Sequence, residues 1–142
     1  MQPALFDSSV YITALRRGDN AALHLRRVAA NAPLWLSAVV LEELYAGAND
    51  RARGSVERLE RDFDRARRIV VPNLGDWTLA GTVLARLAAK HDFEHIGRGR
   101  LTNDALIAMS AARLGIRVIT ANGRDFRMLA EVRNFQWDLI EV

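Results

Sequence analysis

The chain has 142 residues, half of them hydrophobic and 26% charged, and it contains no cysteine. This mix is typical of a globular domain with a full core, and the lack of cysteine excludes disulfides and thiolate metal sites. No apolar run approaches the roughly 18 residues of a membrane span, and the N-terminus has no basic n-region. We therefore expect a cytoplasmic protein that does not contact membranes. The formal charge is +3, and nearly all basic residues are arginines, an excess that fits either phosphate contact or genomic base composition.

Short apolar strands alternate with helical patterns along the first two thirds of the chain. Ser37 and Asp76 are predicted to cap helices there, Ser8 and Ser9 are possible caps of the first helix, and Asn49–Gly54 is predicted to be a polar turn. The predicted strands are Pro3–Phe6, Leu34–Leu36 and Ile69–Val71. The predicted helices are Val10–Arg17, Asn20–Ala30, Ala38–Ala48, Ser55–Arg68 and Trp77–Lys90.

The stretch Leu101–Phe126 has the densest pattern. Thr102 or Asn103 can cap a helix whose first turn contains Asp104, and Gly115 can end it. Small residues at helical spacing predict that this helix packs closely against a neighbour. They are Ala105, Ala108, Ala111 and Ala112.

A strand, a turn and a helix are predicted to follow. Ile116–Thr120 has the pattern of a buried strand, Asn122–Asp125 that of a polar turn before a helix from Phe126, and Trp137–Ile140 that of a last edge strand. Strands separated by one or two helices pair in parallel through right-handed crossovers. We therefore expect one domain over residues 1–142, an α/β protein with three layers, α/β/α, around a mainly parallel sheet.

Four acidic residues are predicted at strand ends or on apolar helix faces. They are Asp7, Glu43, Asp104 and Asp125. The three aspartates have simpler interpretations when taken alone: Asp7 and Asp125 can cap helices, and Asp104 can interact with a helix dipole. Glu42 has neighbours almost as apolar as those of Glu43, so periodicity does not choose between the two glutamates.

Carboxylates gathered at one edge of a sheet suggest a metal site. Ligands of open parallel sheets bind at the carboxyl ends of the strands, and clustered carboxylates cannot all ionise without a counter-charge. Mg²⁺ and Mn²⁺ are hard cations that take oxygen ligands and retain several waters. One or two such ions can orient a phosphodiester, activate a water and stabilise the leaving oxygen. The cluster therefore predicts phosphoryl hydrolysis.

Four segments resemble PIN-domain ribonucleases: Asp7 after ALF, then SAVVLEELYAG, TNDALIAMSAARLGIRVIT and NGRDF. Within that family the chain is most similar to the VapC-type toxins of bacterial toxin–antitoxin pairs, over nearly its whole length. The resemblance implies a PIN-like fold in which an acidic quartet binds Mg²⁺ or Mn²⁺, and it selects Glu43 rather than Glu42. The quartet is Asp7, Glu43, Asp104 and Asp125, with Thr120 and Asn122 as supporting residues.

The same resemblance implies an activity and partners. The activity is metal-dependent endonucleolytic hydrolysis of RNA by an activated water. Independently of the resemblance, Arg98 and Arg100 lie just before Asp104, where they can contact an RNA backbone; a flexible basic connector is the alternative interpretation of this segment. The partners are a cognate VapB-like antitoxin, received near the apolar helical face at Trp35–Tyr45, and a second copy in a homodimer. The alternative is a silent RNA-binding or regulatory module of the same fold, whose carboxylates only cap helices.

Overall fold

Five strands and six helices make up the described part of the chain, residues 2–17, 29, 32–91 and 101–140 of this computed structural model. The strands are β1 (Ala4–Phe6), β2 (Leu34–Ser37), β3 (Ile69–Val70), β4 (Arg117–Thr120) and β5 (Trp137–Leu139). The helices are α1 (Ser8–Arg17), α2 (Ala38–Gly47), α3 (Asp50–Arg65), α4 (Leu74–Lys90), α5 (Thr102–Leu114) and α6 (Gly123–Val132). Two predictions lie outside these residues. They are the helix Asn20–Ala30, of which only Ala29 is described, and the candidate RNA-contacting arginines Arg98 and Arg100.

The sheet has the strand order β3-β2-β1-β4-β5, and every neighbouring pair is parallel. Leu5 of β1 pairs with Trp35 on one side and with Val118 on the other. The chain therefore moves outward from β1 to β3, returns to β4 beside β1, and ends at β5 on the opposite edge. The predicted three-layer α/β/α architecture with a parallel sheet is confirmed, as is the edge position of β5.

Helix α5 is buried on nearly every side. All residues from Ala105 to Ala111 are buried, because α5 packs against α2, α4, α6 and strand β4. The buried Ser110 hydroxyl donates to the Leu106 carbonyl oxygen at 2.6 Å, so this polar group has a hydrogen-bond partner inside the core. Ala112 is exposed, so the predicted stripe of small residues was wrong at its last alanine. None of the helices in the described ranges has the length and apolarity to cross a bilayer.

Two predicted helix ends are confirmed. The Ser37 hydroxyl accepts from the Val39 amide at 3.2 Å and caps α2. Gly115 ends α5 with φ at 68°, a left-handed conformation that glycine adopts without a Cβ clash.

Two other helix starts were predicted wrongly. Asn49 is a helix cap and accepts from the Ala52 amide at 2.9 Å, so α3 already begins at Asp50 and the expected turn does not exist. Helix α4 is capped by Asn73, with Asp76 at the third helical position, where its carboxylate accepts from the Asn73 amide at 3.0 Å. Both errors have the same cause, because the short polar side chain that starts each helix lies earlier in the sequence than its first apolar repeat.

The start of α5 also differs from the prediction. Neither Thr102 nor Asn103 caps it; Leu101 is the N-cap residue and provides no side-chain bond. The Asn103 amide donates instead to Glu42 Oε2 at 3.1 Å. A tertiary contact has therefore replaced the local cap.

Candidate active site

The four predicted carboxylates come together where the strand order reverses, between β1 and β4. Asp7 directly follows β1, and Asp125 lies in the first turn of α6, just after β4. Asp104 lies in the first turn of α5, and Glu43 in the second half of α2. The carboxyl edge at such a reversal is the usual ligand site of an open parallel sheet.

Asp7 is fixed by hydrogen bonds to both of its carboxylate oxygens. Its side chain is only 3% exposed; Ser9 Oγ donates to Oδ1 at 2.5 Å and Thr120 Oγ1 to Oδ2 at 2.7 Å. The same hydroxyls accept from the backbone amides of Ala121 and Asn122, at 3.0 and 2.9 Å. Burial raises the pKa of Asp7, while the Ser9 and Thr120 bonds oppose that rise.

Sequence reasoning missed the role of Ser9, which it treated only as a possible cap. The hydroxyl instead links the end of β1 to the loop after β4, 112 residues away. Its position two residues after Asp7 was the available signal. That spacing also suits a helix cap, so it did not distinguish the two roles.

Glu43, not Glu42, lies among the carboxylates. Burial raises the pKa of Glu43 most, and the negative charges of Asp7 and Glu42 raise it further, against bonds from Ser8 and Asn103. Glu43 Oε1 is buried and has no hydrogen-bond partner among the described residues. Glu42 is exposed and is held by the Asn103 amide at the rim.

Asp104 is the most perturbed carboxyl of the group. Burial raises its pKa first, and the charges of Asp125, Asp7 and Glu43 follow, so that the pKa of Asp104 is about 8. Asp125 is half-buried and accepts from the Asn122 side-chain amide at 3.2 Å. Without a cation, Asp104 therefore stays largely protonated at neutral pH.

These residues fit a hard divalent cation chemically. All four offer carboxylate oxygens, Glu43 Oε1 has no hydrogen-bond donor among the described residues, and burial together with the charges of the other three carboxylates raises the pKa of Asp104. As the side chains stand, no three His, Cys, Asp or Glu residues within the described ranges are spaced to hold one ion. These carboxylates would have to change their side-chain rotamers to ligate one ion together.

Comparison with known protein families matches residues 4–132 to the PIN domain, a range that includes all four carboxylates. The chain belongs to the PIN-domain family. Nuclease activity is a general property of PIN domains, and PIN-domain nucleases generally use divalent metals. A comparison with the curated proteins gives no match.

Solved structures with the same fold include three toxin–antitoxin complexes. VapBC2 from Rickettsia felis, bound to a promoter DNA fragment, is 18% identical with a TM-score of 0.64; 99% of this PIN domain and 100% of that chain are covered. DNA-bound VapBC from Salmonella typhimurium is 18% identical with a TM-score of 0.69, covering 97% and 98%. VapBC-1 from nontypeable Haemophilus influenzae is 20% identical with a TM-score of 0.59, covering 97% and 98%. Because the identities are only 18–20%, the similarity to these three structures establishes a shared fold and nothing further.

Proposed function

We propose that this PIN domain is a Mg²⁺- or Mn²⁺-dependent endoribonuclease and acts as the toxin of a toxin–antitoxin pair. The observation that supports it most is the gathering of Asp7, Glu43, Asp104 and Asp125 at the β1–β4 edge. Membership of a nuclease family and a fold shared with VapBC structures support it as well. Incubation of the purified protein with RNA in Mn²⁺ or in EDTA tests the proposal, and we expect cleavage only with the cation.

The four carboxylates have different roles in this proposal, and each role follows from the hydrogen bonds and burial of the side chain. Asp7 is the rigid ligand, because hydroxyl groups fix both of its oxygens. Asp104 would lose its proton to solvent on cation binding, and Glu43 would offer Oε1, to which no described residue donates. Asp125 accepts from the Asn122 side-chain amide, shares a hydrogen bond with Asp104, and would complete the ligand set. The bound cation would orient the scissile phosphodiester and lower the pKa of the attacking water.

A silent RNA-binding module of the same fold is the alternative, and the metal distinguishes the two. Such a module should leave RNA intact and bind Mn²⁺ no better than an unrelated protein. The raised Asp104 pKa favours the nuclease, since a cluster of helix caps gives no reason to bury mutually repelling carboxylates.

A groove next to the carboxylates is the proposed antitoxin site. It has a volume of about 410 Å³ and shares only part of the predicted Trp35–Tyr45 face, namely Glu43 and Leu44. Two apolar side chains of α1, Ile12 and Leu15, remain exposed in it. Its lining comes from α1, α2, α3 and the turn between α2 and α3: Ile12, Leu15, Arg16, Glu43, Leu44, Gly47, Ala48, Asn49, Ala52 and Val56. An apolar antitoxin segment bearing its own arginine would fill the groove and pair with Glu43.

We expect Leu15→Glu to abolish co-purification with the product of the adjacent small gene. The substitution places a charge on the apolar groove, where a bound segment would bury it. Leu114→Glu, a change at an exposed leucine at the end of α5, is the matched control and should retain the partner. Pull-down of tagged variants measures this. Recovery of the partner with Leu15→Glu at the level of the control would contradict the groove as the binding site.

One face of α4 is the proposed homodimer contact. Val71, Leu74 and Trp77 are 64%, 79% and 54% exposed, and large exposed apolar groups of this kind mark interaction surfaces. Exposed residues from Leu74 to Ala85 carry no charge, so two copies can meet without repulsion. The face has bulky groups at one end and Gly81 and Ala85 at the other. In an antiparallel two-fold pair, Trp77 of each copy would pack over the small residues of the other.

We expect Gly81→Arg to convert a dimer to a monomer in sedimentation analysis. No atom lies within 4 Å of a Cβ added at Gly81, so the fold should tolerate the side chain while the interface does not. Gly54 of α3 is equally open, and Gly54→Arg is the control that should stay dimeric. A dimeric Gly81→Arg protein would exclude this face.

A further inference from the structure

A polar trough lies at the amino edge of the sheet, away from the carboxylates. Two cavities of about 430 and 700 Å³ adjoin there and share Ala112 and Asn134. The start of α4, the end of α5 and the segment between α6 and β5 form its walls. We call it the amino-edge trough, and its polar lining is Gln2, Asn73, Asp76, Arg113, Arg133, Asn134 and Gln136.

The trough has a positive charge excess. Asp76 is its one acidic lining residue in the described chain, and Arg113 already neutralises it with Nε bonds of 3.1 and 3.0 Å and an Nη2 contact of 3.0 Å. Arg133 is exposed just after α6, and no described residue forms an ion pair with it. An anionic group is therefore the natural ligand at this end.

The remaining polar groups are side-chain amides. Asn134, Gln136 and Gln2 each offer a donor and an acceptor, and Phe135 lies between the first two as a half-buried aromatic ring. Amide groups match the edges of nucleobases and the ribose hydroxyls, while arginine matches phosphate. Each cavity is within the roughly 300–1,000 Å³ typical of small-molecule sites, so a nucleotide fits.

Two helices connect the trough to the carboxylates. Helix α5 has Asp104 in its first turn and Arg113 in its last, and α6 has Asp125 in its first turn with Arg133 just after its end. The acidic residue and the arginine are nine residues apart on α5 and eight apart on α6. At a helical rise of about 1.5 Å per residue, their backbone positions are roughly 12–14 Å apart along the helix axis. About four stacked nucleotides of one strand span that distance at roughly 3.4 Å each.

We propose that the amino-edge trough binds a nucleotide of the RNA strand that flanks the bond cleaved at the carboxylates. This inference rests on the proposed RNA substrate and adds a second point of contact for it. Arg133 would hold the backbone phosphate, and Asn134 and Gln136 the sugar or base. A strand held at both ends of α5 and α6 would be bound more tightly than one held at the carboxylates alone.

RNA binding in EDTA tests the trough separately from cleavage. A fluorescein-labelled single-stranded RNA of 16 nucleotides is titrated with each protein and followed by anisotropy. We expect Arg133→Glu to raise the Kd about tenfold and to lower the slope of log Kd against log salt by about 0.7 or more. Asn134→Ala should weaken binding without changing that slope. Arg61→Glu, at an exposed arginine of α3, changes the net charge equally and should stay within twofold of wild type.

The possible outcomes separate this inference from the proposed function. Equal losses of RNA affinity for Arg133→Glu and Arg61→Glu would mean general electrostatic attraction. That result would contradict RNA binding in the trough but would leave the proposed Mn²⁺-dependent cleavage unaffected. The absence of RNA binding by wild type in EDTA would also contradict RNA binding in the trough. If free ribonucleoside 5′-monophosphates displace the RNA with an affinity comparable to that of the RNA itself, the trough is a mononucleotide site and the proposed contact with the RNA strand is wrong. Circular dichroism and melting of each variant check that the fold is retained.

Discussion

Asp7→Asn, Glu43→Gln and Asp104→Asn should each lower RNA cleavage in Mn²⁺ by about a thousandfold or more, which is about 4 kcal/mol of transition-state stabilisation. The amides keep the shape of each side chain but cannot supply an anionic ligand oxygen. Asp7 is expected to be the most sensitive of the three, since its two oxygens are already positioned by Ser9 and Thr120. Initial rates on a labelled RNA, with circular dichroism of each variant, measure the effect.

Glu42→Gln is the matched control for this experiment. Glu42 is the neighbour of Glu43 and has the same side chain, yet it is exposed and bonded to Asn103 at the rim. We expect its activity to stay within a few-fold of wild type. Cleavage that persists in EDTA, or wild-type rates in all three carboxylate variants, would rule out the metal mechanism. A larger loss for Glu42→Gln than for Glu43→Gln would assign the ligand to the other glutamate.

The fold was predictable because its signals are local. Short apolar runs between helical repeats identified the parallel strands, and Asp7 and Asp125 could be placed because each lies just past such a run. The strand order was not predictable, because the same alternation of strands and helices is compatible with several orders. The reversal between β1 and β4, which brings Asp7 beside Thr120, is a property of the assembled sheet.

Which side chains enter the site, and which bonds they make there, depends on tertiary contacts that local sequence patterns do not predict. Periodicity could not choose between Glu42 and Glu43, because the choice depends on how α2 is rotated against the end of β1. Asn103 is a good cap by type, but its amide gains a bond to Glu42 instead, and no local pattern indicates that preference. Arg133 and Arg113 meet in one trough although they are 20 residues apart, so no motif connects them.

The metal-free protein should lose stability as pH rises from about 4 to about 8. Asp104 has a folded pKa of about 8, whereas an unfolded aspartate titrates near 4, so the folded state binds the proton more tightly. Between these values the folded protein holds more protons than the unfolded chain, and the free energy of unfolding falls with increasing pH. Above about 8 the penalty is complete, on the order of 1–3 kcal/mol once solvent screening of a half-buried group is allowed for.

Asp104→Asn should therefore raise the melting temperature of the metal-free protein at pH 8.5 by several degrees, with the gain vanishing towards pH 4. Asp50→Asn is the control, because Asp50 is also an acid in a first helical turn but is exposed and outside the cluster. It should lower the melting temperature slightly at pH 8.5, since the carboxylate's favourable interactions with the helix dipole and with Arg53, 3.8 Å away, are lost. Mn²⁺ at a hundredfold excess over its Kd should stabilise wild type by about 2.7 kcal/mol, and Asp104→Asn far less. Melting curves with EDTA and with Mn²⁺ measure both effects. If Asp104→Asn behaves like Asp50→Asn and keeps the full response to Mn²⁺, Asp104 does not share a buried pocket with the other carboxylates, because burial and repulsion within such a pocket are the two sources of the expected gain.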